Sequence, residues 1–115
     1  MKPDAGTLMY ILSQYTIVTK DIPITDGRYI CGYVVPEDKI ITLNVHNSPR
    51  TDIETLSHET WHAYDYINGN NLTDSQVEDL SQHYLLTPNY YKGIEDTVDK
   101  LKNWRGEYDA NNDKE

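Results

Sequence analysis

The chain has no phenylalanine, one cysteine and no apolar run approaching the thickness of a bilayer. A single cysteine, Cys31, excludes an intrachain disulfide and any thiolate cluster for a metal. Its apolar, strand-like surroundings make a buried structural thiol the expectation. Without about 20 consecutive apolar residues the chain is not expected to span a membrane. Basic residues are scarce too: 10 Lys and Arg stand against 19 Asp and Glu, a net charge of -9. Affinity for a phosphate backbone comes mainly from Lys and Arg, so nucleic acid is not an expected partner. The start, Met1-Lys2-Pro3-Asp4, lacks the basic and apolar regions of a secretory leader, and cytosolic residence is expected. In place of Phe, ten Tyr and two Trp must supply the aromatic packing, with their polar ends reaching the surface or a cleft.

A length of 115 residues suits one domain with one modest core. Asp4 caps a short expected helix over 5–14, and Tyr15 to Thr19 reads as a strand. Arg28 to Val35 and Lys39 to Val45 read as two strands joined in a hairpin by Pro36-Glu37-Asp38. A helix is expected from Thr51 to Asn68. Thr51 and Glu54 form a possible capping box, Ser48-Pro49 offers an alternative start, and Asn68-Gly69 is the stop. Its expected buried stripe is Ile53, Leu56, Thr60, Ala63 and Ile67. Thr73 caps a following helix that packs through Val77, Leu80, Tyr84 and Leu85 and ends at Thr87-Pro88. A last helix runs from about Asn89 to Trp104. The compact domain is expected over 1–107, with an acidic, disordered tail at 108–115.

Within the long helix stands His58-Glu59-Thr60-Trp61-His62. Side chains four apart share a helical face, so this HExxH spacing lets both imidazoles hold one zinc ion. Glu59 between them is placed to act as general base toward a water during attack on a carbonyl. The alternative is two surface histidines on an amphipathic helix.

Two histidines need a third protein ligand, and Glu78, Asp79 and His83 on the next helix are candidates. Glu78 is preferred, because its neighbours Val77 and Leu80 bring that face toward the core; His83 is the alternative. Asp65, three residues beyond His62, suits a hydrogen bond that orients an imidazole rather than a ligand bond. His46 reads as a loop histidine. For an oxyanion donor, Tyr64, Tyr84, Tyr90 and Tyr91 are nearest in sequence.

The run Leu56 to Ile67 containing the motif, with Leu72 to Leu80 after it and Leu85-Leu86-Thr87-Pro88 further on, resembles small phage and prophage metallopeptidase-like proteins similar to the ImmA/IrrE group. The resemblance implies a zincin-like α+β fold, with a small antiparallel-type sheet of about three strands packed on a helical layer. It also implies His58, His62 and Glu78 as zinc ligands, Glu59 as base, and hydrolysis of an intracellular protein or peptide, in the host cytosol if phage-encoded. Trp61 stands where the group commonly has Gly. Two other readings of the chain are a non-catalytic, zinc-stabilised binding module and an acidic interaction protein without metal.

Overall fold

The structure, a computed structural model, describes residues 2–113, with side chains described as far as Leu101. The elements are α1 (Ala5–Ser13), β1 (Thr16–Lys20), β2 (Gly32–Val35), a 3-10 turn (Pro36–Asp38), β3 (Ile40–Asn44), α2 (Pro49–Asn68), α3 (Asp74–Tyr84) and α4 (Pro88–Asp113). The fold is α+β as expected, with four α-helices and a three-stranded sheet among the described residues. No helix among the described residues is long and apolar enough to cross a membrane. The backbone of α4 continues past Gly106. Of the tail expected to be disordered at 108–115, the backbone to Asp113 is part of α4, while its side chains and its last two residues lie outside the described residues.

The sheet is mixed rather than antiparallel throughout, with strand order β1-β3-β2. The hairpin forms, β2 pairing antiparallel to β3 with Val35 opposite Ile40 and Gly32 opposite Leu43, but its first strand begins at Gly32 rather than at Arg28. Lys39, in the left-handed region at φ 53°, closes the reversal after Pro36. β1, however, pairs parallel to β3, Thr16 opposite Ile40 and Lys20 opposite Asn44. The reason is the 21–31 loop, which crosses the end of β3 to deliver the chain to the far edge. Asn44, fully buried at that end, fastens the crossing: its Nδ2 donates to the carbonyls of Ile22 and Ile30 at 3.3 and 2.8 Å. β3 is therefore the central strand, and Ile41, Thr42, Leu43 and Asn44 are all buried.

α2 starts at the alternative the sequence offered. Ser48 is the N-cap, its Oγ accepting from the Thr51 amide, and Pro49 takes the first turn, where its missing N–H costs nothing. Gly69 ends the helix at φ 64°, a conformation glycine adopts without strain. Buried Asp52 is joined to Asn47, whose Nδ2 donates to Asp52 Oδ1 and to the Cys31 carbonyl at 3.0 and 2.9 Å. These bonds tie the start of α2 to the start of β2. Cys31 itself is only half-buried, since it lies at a cavity wall rather than inside the sheet.

The core lies where α2 meets α1, α3, α4 and the sheet, and it includes Leu8, Ile41, Leu43, Leu56, Val77 and Ile94. Leu56, Thr60 and Ala63 form the buried stripe of α2, with Ile53 half-buried, but Ile67 is exposed, at the rim of a surface cavity that it shares with α1 and the hairpin turn. Trp61 is 1% exposed and packs edge-on against Tyr84 and Tyr64 at centroid distances of 4.8 and 5.5 Å. The bulky residue at this motif position thus fastens α2 to α3.

Candidate metal centre

Two helices build the site from matching spacings. His58 and His62 lie four apart on α2, and Asp74 and Glu78 lie four apart on α3, so each pair presents one face to the other. The turn between the helices sets the register. Gly69 and Asn71 take positive φ, and the Leu72 amide donates to both carboxylate oxygens of Asp65 at 3.2 and 3.3 Å. Thr73 then opens α3 with a full capping box: its Oγ1 accepts from the Gln76 amide, and Gln76 Oε1 accepts from the Thr73 amide. Asp74 is thereby fixed as the first residue of α3.

The Nε2 atoms of His58 and His62 are 3.0 Å apart, and Asp74 Oδ1 lies 3.1 Å from the first and 2.9 Å from the second. These three atoms form a close triangle. Glu78 is beside it, with Oε2 2.7 Å from the other ring nitrogen of His58, Nδ1, and Oε1 accepting from Gln82 Nε2 at 2.8 Å. Glu78, the carboxylate expected as third ligand, thus sits behind the His58 ring and orients it, and Asp74 occupies the point where the imidazoles converge. Asp65, expected to orient an imidazole, instead caps the 69–73 turn. His83 is exposed on α3 and lines neither cavity beside the histidines. His46 is a loop histidine, paired with Asp21 at 3.0 Å.

Asp74 could have been found from sequence. It follows a strong cap directly and repeats toward Glu78 the spacing of the histidines. In sequence alone it reads as a first-turn charge favoured by the helix dipole.

Proton placement tests whether this triangle suits a cation. The hydrogen bonds from both histidines hold Asp74 below the usual carboxylate range, so its oxygen is an acceptor only. If one imidazole Nε2 carries a proton, the other faces the carboxylate with a bare lone pair. If both do, two N–H groups confront each other. No arrangement satisfies all three edges. A cation at the centre satisfies them together, and the edges of 2.9 to 3.1 Å approach the roughly 3.3 Å separating ligand atoms on tetrahedral zinc.

Glu59 is 7% exposed, and burial raises its pKa to about 7, with His58 acting in the opposite direction and Asp74 and Glu78 adding to the rise. It lies on the wall between two adjoining cavities. The larger, about 690 Å³, is bounded by His58, Glu59, His62 and Tyr66 of α2, by Asp74, and by Gly32, Tyr33 and Val34 of β2. The smaller, about 320 Å³, adds Cys31, Glu54 and Glu78.

Of the four tyrosines nearest in sequence, Tyr90 is buried with its hydroxyl 2.8 Å from Ser57 Oγ, and the Tyr84 hydroxyl donates to the Pro3 carbonyl. Neither they nor Tyr64 and Tyr91 line the cleft; Tyr33 and Tyr66 do. Tyr66 was legible as the residue one helical turn beyond His62, whereas Tyr33 comes from another element and carried no signal. Comparison with protein-family models, curated proteins and solved structures gives no match to this chain.

Proposed function

We propose that this domain is a zinc-dependent peptidase in which His58, His62 and Asp74 hold the metal and Glu59 is the base. The observation that carries the reading is the triangle of His58 Nε2, His62 Nε2 and Asp74 Oδ1, which a cation satisfies and protons do not. When bound, zinc supplies Lewis acidity toward a water and a carbonyl oxygen. Glu59 accepts the proton of the attacking water and returns it to the leaving amine, a task suited to a carboxylate whose pKa is raised toward neutrality. Glu78 holds the His58 ring through Nδ1, which keeps the lone pair of Nε2 directed at the metal. Tyr33 and Tyr66 are the hydroxyls available to a developing oxyanion in the cleft.

The substrate reading follows from the sheet. β2 has β3 on one side and no strand on the other among the described residues, and Gly32, Tyr33 and Val34 border the cleft. An extended peptide can add there as a further strand, its backbone bonded to the edge and its carbonyl brought toward the triangle. An unpaired Cys31 thiol suits the reducing cytosol as the place of action.

Zinc content should be measured in protein purified without chelator or affinity metal. We expect one zinc per chain in the wild type and none in His62→Ala or Asp74→Ala. Glu78→Ala should bind about 10- to 100-fold more weakly, and His83→Ala should match the wild type. Glu59→Gln should keep zinc and lose peptide hydrolysis. Absence of zinc in the wild type after zinc is added back sinks the reading; zinc without cleavage of any peptide reduces the domain to a zinc-stabilised binding module.

A further inference from the structure

The triangle occupies only one end of the cleft. At the other end Tyr66 and Pro36 also wall a separate cavity of about 420 Å³, completed by Tyr10, Ile11, Tyr15 and Ile67, with Gln14 and Lys39 its two polar lining residues. Tyr10, Tyr66 and Ile67 are 67%, 54% and 58% exposed, so three large apolar side chains stand in water around one concavity. Such a patch beside a polar cleft marks a binding surface. No carboxylate lines it, whereas Glu59, Asp65 and Asp74 line the metal end.

Two independent measures give its distance from the chemistry. Along α2, Tyr66 lies four residues beyond His62 and eight beyond His58, or roughly 6 and 12 Å at the helical rise. Along β2, Gly32 shares the cleft wall with His58 and Glu59, and Pro36 lies four residues on, roughly 13 Å at the rise of a strand. An extended peptide covers that span in three or four residues. We infer that the cavity is the subsite for a bulky apolar side chain, aromatic or branched aliphatic, three or four residues from the scissile bond of a peptide on the free edge of β2. This rests on the peptidase reading of the cleft.

The test uses the full chain loaded with zinc and a mixture of random decapeptides, with cleavage products sequenced for the wild type, Ile67→Glu and Tyr10→Glu. Both side chains are exposed, and zinc content and circular dichroism check that the variants fold. Wild-type products should be enriched about 10-fold or more for an aromatic or branched aliphatic residue at one position three or four residues from the cut. Each variant should lose that enrichment at unchanged zinc content. In parallel, peptides retained by Glu59→Gln protein should show the same apolar selection, and adding Ile67→Glu should abolish it. Selection absent from both readouts, or surviving both substitutions, overturns the subsite. No cleavage by the wild type with apolar peptides still retained by Glu59→Gln would refute hydrolysis while leaving the subsite standing.

Discussion

Replacing Glu59 by Gln should change how stability depends on pH as well as activity. The carboxyl is buried and its pKa rises from 4.5 to about 7 on folding. Between those values the native state binds more protons than the unfolded chain, so stability falls as pH rises through the window and levels off above about 7. The difference amounts to about 3 kcal/mol across the window. In chelator, where only the protein's own groups titrate, the wild type should lose this stability between pH 4.5 and pH 8, and Glu59→Gln should not. The Gln amide adds its own burial cost, but that cost is independent of pH, so the comparison concerns slopes. Urea unfolding of both proteins at pH 5 and pH 8 reads the effect. At a typical denaturant dependence for a small domain, the difference between the two midpoints should move by roughly 1 to 3 M between the two pH values. A difference that stays constant would refute the raised pKa of Glu59 in the folded protein.

Thr73→Ala removes the capping box that positions Asp74, and should cost about 1 kcal/mol of stability; zinc affinity, read by competition with a chelator, should fall with it. Gly32→Ala places a methyl group 2.5 Å from the Thr42 carbonyl oxygen and 2.9 Å from Thr55 Cγ2. β2 must then shift from both β3 and α2, for a loss of about 1 to 3 kcal/mol in urea unfolding; wild-type stability in this variant would contradict the packing. Tyr90→Phe deletes the hydroxyl 2.8 Å from Ser57 Oγ, leaving Ser57 with Ser81, whose hydroxyl donates to it at 2.6 Å. The expected cost is about 1 to 2 kcal/mol, with zinc binding unchanged.

The motif helix was legible because its signals are local. HExxH is a spacing on one face, and Ser48-Pro49 and Gly69 act within a turn of where they stand. The hairpin was legible for the same reason, since Pro36 to Lys39 reverse the chain unaided. Burial of Trp61 was not legible: it depends on Tyr84, contributed by the next helix. Nor was the parallel pairing of β1, which depends on where the 21–31 loop crosses and on Asn44 beneath it.

The sequence by itself determined the two histidines, the glutamate between them and the helix that carries all three, since helical geometry alone places residues four apart on one face. Only the tertiary structure decided which carboxylate meets the imidazoles. Asp74 and Glu78 share the facing side of α3, and a sequence cannot express how far that helix advances along α2 before it packs. The turn at 69–73 and the Trp61–Tyr84 contact fix that advance, placing Asp74 Oδ1 between the Nε2 atoms and Glu78 behind His58. Tertiary packing likewise made β2, and not the strand leading into the motif helix, the free edge beside the cleft, because sheet order follows from long-range pairing rather than from order along the chain.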